Sequence, residues 1–256
     1  MQLSTRQVLR MSRPPRTTRP SQSSDTPTEQ APDQILDSAV KVFSEKGFGA
    51  ASIREIAGRA GANHAMIKYY FGNKEELWRA AVNFLLERQL RELDLDRIFA
   101  EGTGDGATTR RLCEQLVRYY ARHPEHSRMI VQATMQPGPR LDWMLQRTRE
   151  HHALFEELFG QVQHSQANRE EIIAMLYIVV GACQTIFLLQ HEVAGLYGLD
   201  VADPAFVDRF VTIVCGILAP PPSGSDAQSA VEEGTPTLHT RRTRDGLELR
   251  ILVPDP

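Results

Sequence analysis

Four cations cluster in a short stretch of a chain whose overall charge is negative. The 256 residues include 29 Lys or Arg against 32 Asp or Glu, giving a formal net charge of −3. Between positions 51 and 74 the balance reverses: the acid is Glu55, and the cations are Arg54, Arg59, Lys68 and Lys74. Lysine and arginine pair with phosphate oxygens, so this stretch could bind a polyanion. The whole chain is no polycation, and any nucleic-acid contact is expected from this patch.

Histidines are the other residues that could bind a metal or act as acid–base catalysts. Those that invite a metal or acid–base interpretation are His123, His126, His151, His152 and His164. Adjacent residues on a helix point about 100° apart, so His151 and His152 cannot easily hold one ion. His123 and His126 flank Pro124 without a convincingly spaced acidic partner, and Gly-rich phosphate loop, nucleophile elbow and HExxH motifs are absent from the sequence. We therefore expect no enzyme, no metal and no cofactor.

The cysteines Cys113, Cys183 and Cys215 are far apart, odd in number and not in a CxxC arrangement. This pattern argues against a disulfide framework and a structural zinc site, and it suits a reducing cytosol. We expect the three cysteines to be small buried residues of the hydrophobic core, with a redox-sensing thiol as the alternative.

Both ends of the chain are rich in residues that disfavour a packed core. Residues 1–31 are expected to be a disordered basic arm, and residues 220–256 a mostly disordered tail in which 247–253 could form a weak strand. The start lacks the apolar stretch of a secretory signal. We expect no apolar run that approaches the roughly 18 residues of a membrane span, and hence no membrane partner.

Between these ends, apolar residues recur at helical spacing and Gly or Pro separates the segments. Helices are expected around 35–46, 52–60, 63–71 and 73–95, and then at about 108–122, 125–136, 141–159, 169–194 and 204–218. Asn63 and Asn73 are predicted caps, and Ser52 with Glu55 forms a predicted capping box. Strand-like alternation is missing, so the fold class is all-α.

The stretch from Ser52 to Phe71 predicts two short helices joined by a sharp turn at Gly61. The surrounding sequence contains Ile35-Leu36 through Phe43, Glu45-Lys-Gly-Phe48, Ala51-Ser-Ile-Arg-Glu-Ile-Ala57, Ala60-Gly-Ala-Asn-His-Ala-Met-Ile-Lys-Tyr-Tyr-Phe71 and Lys74-Glu-Glu-Leu77. These motifs give residues 34–80 a resemblance to the TetR family of regulators. It implies a three-helix DNA-binding domain at 32–78 and a helical ligand-binding and dimerisation domain at 79–219.

The resemblance implies that Asn63 to Tyr69 enters the major groove of DNA. The implied base contacts are Asn63, His64, Ala65 and Lys68, and the implied phosphate contacts are Ser52, Tyr69, Tyr70 and Lys74. Lys68 departs from the family, which usually has tyrosine there. Helix capping alone would also explain Ser52 and Asn63. Core packing would explain Tyr70, and Arg54 and Arg59 could simply belong to a solvated helix face. The basic arm is a separate candidate for minor-groove contact.

The later helices are too apolar to be a linker. Those at 169–194 and 204–218 are expected to form a homodimer interface, which the resemblance implies is a four-helix bundle. It also implies a pocket for a small-molecule effector. Candidate lining residues are Met129, Gln132, Trp143, His151, Phe155, Cys183, Gln184 and Phe187, with Met135 as a further candidate, although core packing is the competing interpretation for each.

The sequence therefore predicts a cytoplasmic, DNA-binding transcriptional regulator, acting as a ligand-responsive homodimeric repressor on an inverted-repeat operator. An activator is an open alternative, because sequence does not reveal polymerase contacts. The rival from another class is a helical ligand-binding or interaction protein that has lost operator binding. Lys68 and Lys74, standing out against an acidic chain, argue against that rival.

Overall fold

The computed structural model describes residues 31–94, 98, 107–162, 168–219, 237–243 and 246–252. In chain order its elements are α1 Ala31–Ala50, α2 Ile53–Arg59, α3 His64–Phe71, α4 Lys74–Glu92, α5 Ala107–Arg122, α6 Pro124–Thr134, α7 Pro139–Val162, α8 Arg169–Leu188, α9 Gln190–Tyr197, α10 Pro204–Leu218, β1 Thr237–Thr243 and β2 Gly246–Leu252. Apart from one hairpin, every element in the described part is a helix, which confirms the all-α class.

Several helix boundaries follow from local chemistry. Asn63 and Asn73 cap α3 and α4, since each side-chain oxygen accepts a backbone N–H three residues on, at 2.8 and 3.0 Å. Asp203 accepts from the N–H of Ala205 at 3.2 Å, with Pro204 at the first helical position, and α10 spans the predicted 204–218. The helix predicted at 169–194 is instead two helices, because the backbone turns at Leu189.

The helices group into two compact units that do not follow chain order. Of the described residues, the first unit contains 31–94 and 125–151, and the second contains 98, 107–124, 152–162, 168–219, 237–243 and 246–252. Helices α4 and α6 and the first half of α7 therefore pack with the predicted DNA-binding helices. The N-terminal arm, residues 220–236 and the side chains of His151 and Phe155 lie outside the described part.

The core of the first unit is built from the inner faces of α1 to α4. Its largest fully buried side chains include Phe43, Ile35, Ile56, Ile67 and Leu77. Full burial of such a side chain contributes roughly 1.5–3 kcal/mol, so this small set fixes the positions of the two short helices. Aromatic rings extend the core, with Phe48 stacked 6.0 Å from Phe43 and edge-on to Trp78 at 6.4 Å.

The second unit packs α8 and α10 against α5. Tyr119 and Leu112 of α5 are fully buried, and Phe187 of α8 meets Phe210 of α10 edge to face at 5.7 Å. Polar groups add to this packing: Arg118 pairs with Asp208 at 2.8 Å.

Helix α8 corrects one expectation from the sequence. Residues 172–189 are 18 consecutive positions without a charged side chain, and α8 is long and apolar enough to cross a membrane by length and composition alone. The expectation that no apolar run approaches this length is therefore wrong. Gln184 and Thr185 are polar but uncharged, so the uncharged run continues through them. Only 22% of the apolar 18-residue window within α8 is buried within the chain.

The C-terminal region contains an antiparallel hairpin, with Thr243 opposite Gly246 and Thr237 opposite Leu252. Strand β2 falls on the weak alternation at 247–253, whereas β1 lies where the composition favours disorder. Each strand gains its backbone hydrogen bonds from the other, so an inspection of single segments misses the pair.

Candidate nucleic-acid interface

Helices α2 and α3 are joined by a tight turn that Gly61 makes possible. Gly61 has φ +61°, in the left-handed region that a glycine enters without steric cost. The N–H of Ala62 donates to the carbonyl of Ala57 at 2.9 Å and closes the turn. Gly72, with φ +76°, ends α3. The predicted helix-turn-helix is therefore present, and its geometry is set by local sequence.

Helix α3 has a buried face and a fully solvated one. Ile67 is buried, with Met66 and Tyr70 half-buried beside it. The opposite face exposes the residues predicted to meet DNA, namely His64, Ala65, Lys68 and Tyr69. Tyr69 is 79% exposed although its ring is large and apolar. The structure thus brings these predicted residues together on one exposed surface.

Tyr70 differs from its neighbour Tyr69. Its ring packs against the core of the first unit and meets the Tyr69 ring edge to face at 5.1 Å. The packing interpretation of Tyr70 is therefore supported. The same contact orients the exposed Tyr69 ring.

The cations of this region fall into two groups. Arg59 bonds both carboxylate oxygens of Glu45, at 2.8 and 2.6 Å, and reaches Glu55 at 3.2 Å, while Lys46 bonds Glu55 at 2.8 Å. The Arg59 hydrogen bonds hold the pKa of Glu45 below its ordinary value. Arg54 and Lys68, by contrast, are exposed and make no ion pair with a described residue. Arg59 is thus structural, and Arg54 and Lys68 remain available to phosphate or base edges.

Ser52 corrects the predicted capping box. It occupies the N-cap position of α2, but its hydroxyl makes no capping hydrogen bond. Glu55, the other half of the predicted box, is drawn instead to Lys46 and Arg59. Charge-assisted bonds outcompete a neutral backbone N–H for the carboxylate. The exposed Ser52 hydroxyl has no bonded partner among the described residues.

Lys74 is held at the first turn of α4. Its Nζ donates to the carbonyl of Gly49 at 3.1 Å and lies 4.7 Å from the centroid of the Phe48 ring. A second cation uses the same ring, since Arg140 Cζ lies 4.0 Å from that centroid. Sequence reasoning gave no signal for Arg140, because 66 positions separate it from Lys74 and only the fold brings α7 to this turn.

The predicted effector-pocket residues are divided between the two units. Met129, Gln132 and Trp143 belong to the first unit, where Met129 is buried in the core and Trp143 meets Trp78 at 5.8 Å. Gln132 donates to the carbonyl of Ser44 at 2.8 Å. Met135, a further candidate, is 75% exposed.

The remaining pocket candidates lie on α8 in the second unit. Cys183 and Phe187 are buried, and Gln184 is half-buried. Cys183 Sγ donates to the carbonyl of Cys113 at 3.8 Å, and Cys215 Sγ to that of Arg110 at 3.5 Å. Cys183 of α8 and Cys215 of α10 therefore both contact α5, the helix that carries Cys113. Their expected burial is confirmed.

Comparison with known proteins gives a consistent result. Residues 35–81 match the family model described as bacterial regulatory proteins, tetR family. The transcriptional repressor NicS of Pseudomonas putida is 27% identical over 194 residues, which cover 71% of this chain and 87% of NicS. The dual regulator CecR of Shigella flexneri is 36% identical over 99 residues, or 35% of this chain and 44% of CecR.

A solved structure with the same fold is that of AibR in complex with isovaleryl coenzyme A and operator DNA. Its TM-score is 0.57 at 17% identity, and the match covers 75% of this chain and 99% of AibR.

Proposed function

The chain belongs to the tetR family of bacterial regulatory proteins, and we propose that it is a homodimeric repressor that binds an inverted-repeat operator and releases it when a small-molecule effector binds. It is a transcriptional regulator and not an enzyme. The observation that carries the operator proposal is the outer face of α3, where His64, Lys68 and Tyr69 are exposed to solvent.

The major groove of B-DNA, about 12 Å wide, admits one α-helix and distinguishes all base pairs by their donor and acceptor patterns. Lys68 can donate to guanine O6 and N7 from the exposed face. Asn63 is more restricted, because its side-chain oxygen already accepts from the N–H of Met66 and leaves only the amide NH₂ for a base. His64 and Lys68 are therefore the stronger candidates for base contacts.

The phosphate contacts are assigned to the groups around this helix. Ser52 and Arg54 begin α2, are exposed and lack bonded partners among the described residues. Lys74 begins α4 and Tyr69 is almost fully exposed. Such contacts would set the position of the protein on the duplex without selecting its sequence.

Dimerisation is proposed through α8 and α10. Both helices leave large apolar side chains in solvent: Tyr177 is 63% and Ile178 53% exposed on α8, and Ile213 is 41% and Ile217 42% exposed on α10. A two-fold dimer would cover these side chains and place two recognition helices about 34–36 Å apart, one turn of DNA.

The operator proposal is tested by anisotropy titration of the purified chain with its own upstream promoter fragment, competed by random-sequence duplex at low ionic strength. Lys68→Ala is expected to cost about 1–3 kcal/mol at one base-pair position. Lys41→Ala, with the same charge change but on a lysine paired to Asp37 at 2.7 Å, should leave sequence preference unchanged. Equal loss on every sequence would make Lys68 a phosphate contact, and no preference for any duplex would favour the rival function.

An effector can weaken operator binding only if it distinguishes two conformations of the protein. AibR has the same fold and is in complex with isovaleryl coenzyme A, so acyl-coenzyme A thioesters are the first class to test. We expect one of them to raise the operator Kd in the anisotropy assay. If mass spectrometry detects no co-purified molecule and no thioester changes the Kd, this part of the proposal is wrong.

A further inference from the structure

The ring of Phe48 carries two cationic groups from two different helices. Lys74 Nζ of α4 lies 4.7 Å from the ring centroid and Arg140 Cζ of α7 lies 4.0 Å from it. The two groups are therefore less than about 9 Å apart, within the screening length of about 10 Å at 0.1 M salt. Their mutual repulsion is opposed in part by the negative face of the ring.

The acids beside these cations do not neutralise them. Glu75 reaches Arg140 at 3.4 Å and is shared with Arg79, whose Nε lies 3.5 Å from the other oxygen. Glu76 also faces Arg79, at 3.4 Å. Lys74 has only the carbonyl of Gly49 as its hydrogen-bond acceptor among the described residues. Three cations thus meet two carboxylates, and these ion pairs are long and partly solvated.

The exposure of Arg140 leaves its guanidinium able to bind a further anion. Its side chain is 39% exposed, and a planar guanidinium stacked on a ring keeps its N–H groups along its edge. Five N–H donors allow one edge to face Glu75 while another faces solvent. The site is therefore positively charged, partly open and held in place by an aromatic ring.

We propose that Arg140 and Lys74 together bind one DNA backbone phosphate beside Phe48, so that α7 contributes a DNA contact from outside residues 35–81. This inference rests on the proposed function, because it takes Lys74 to face the duplex. The occupant is a phosphodiester of the DNA backbone, whose charge matches the uncompensated cation and which a guanidinium can bind through two N–H groups. Such a contact would add affinity without sequence preference.

The test compares Arg140→Gln with Arg149→Gln, using salt-dependent binding of the full chain to duplex DNA. The Arg140→Gln substitution removes the charge but keeps a planar amide that can rest on Phe48. Arg149 lies on the same helix, is exposed and forms no ion pair with a described residue, so its substitution changes the net charge equally. Each lost phosphate contact reduces the magnitude of the negative slope of log K against log salt by about 0.9. In a two-fold dimer the magnitude should therefore fall by about 1.8.

We expect Arg140→Gln to weaken binding at 0.1 M salt about eightfold per contact, equally on promoter and random duplex. Arg140→Lys should keep most of the slope, which guards against a folding defect in the glutamine variant, and thermal unfolding of all variants checks this directly. An unchanged slope in Arg140→Gln, or an equal decrease in Arg149→Gln, overturns the inference while the wild-type chain still binds DNA. If the wild-type chain binds no duplex, it is the proposed function that fails.

Discussion

The two units of this molecule differ in what they leave in solvent. In the first, the large apolar side chains of α1 to α3 other than Tyr69 are buried or half-buried, and the outer face of α3 carries His64 and Lys68. In the second, α8 and α10 keep Tyr177, Ile178 and Ile213 between 41% and 63% exposed. The first unit thus has a buried core with a polar contact face, and the second has an apolar face that the described residues leave exposed.

This difference separates two kinds of recognition. When a cationic face binds DNA, its Lys and Arg side chains displace the counterions condensed on the phosphates. The affinity of this face should therefore fall as the salt concentration rises. Burial of an apolar face contributes about 25 cal/mol for each Å² removed from water, so its binding should depend far less on salt than DNA binding does. The first face suits DNA and the second suits a second copy of the chain.

The largest effect is expected from placing a charge on the apolar face. Ile178→Glu should give a folded monomer, and operator affinity should fall about 10³-fold, or roughly 4 kcal/mol, because each half-site is then bound alone. Analytical ultracentrifugation and anisotropy measure the two changes. Met135→Glu, at an exposed apolar position in the first unit, is the control and should remain dimeric. If the Ile178→Glu variant remained dimeric, the exposed apolar face of the second unit would not be the dimer interface.

A smaller effect is expected from the ion pairs that join helices of the first unit. Arg88 is buried, bonds Glu125 at 2.7 Å and lies 3.5 Å from Asp37. Arg88→Met leaves Glu125, 12% exposed, without this counter-charge, and should lower the free energy of unfolding by about 3 kcal/mol. Urea denaturation checks this, with Arg91→Met on the exposed side of α4 as the control. Adding Glu125→Gln should recover part of the loss.

Helix caps provide a third comparison, between Asn73 and Ser52. Asn73→Ala removes a capping hydrogen bond and should cost about 1 kcal/mol of stability. Ser52→Ala should cost almost none, because the hydroxyl makes no capping bond, yet it should weaken DNA binding if the hydroxyl contacts phosphate. Thermal unfolding and anisotropy separate the two effects. Equal destabilisation by both variants would mean that Ser52 does cap α2 in solution.

The smallest effect concerns pH and the Glu45–Arg59 pair. The pKa of Glu45 lies below its ordinary value of 4.5 in the folded chain, so its contribution is present above that value and is lost as the pH falls through the folded-state pKa. Glu45→Gln should cost at most about 1 kcal/mol at pH 7, since the pair is exposed. The difference from wild type should vanish in acid. A difference that persists at low pH would exclude ionisation of Glu45 as its cause.

The sequence predicted best those features whose causes are local. The caps at Asn63 and Asn73, the turn at Gly61 and the start of α10 each depend on one or two residues and their own backbone. The family resemblance added the expectation that the exposed side of α3 meets DNA, and the structure agrees about that exposure.

The sequence failed where a residue's partner lies elsewhere in the chain. Glu55 was assigned to Ser52, but Lys46 and Arg59 hold it with full charges. The pocket candidates were grouped by residue type, whereas packing divides them between units. Arg140 is an ordinary helical arginine until folding places it on Phe48. None of these pairings leaves a periodic or compositional signal.

Recognition of duplex DNA by α3, as one half of a two-fold dimer, can be measured by selecting bound duplexes from a random-sequence pool and sequencing them. We expect enrichment of an inverted repeat whose half-sites are centred about 10–10.5 base pairs, or a multiple of one helical turn, apart. Lys68→Ala should lose the preference at one position. Enrichment of no motif, or of a single unpaired site, would show that α3 does not read DNA in this way.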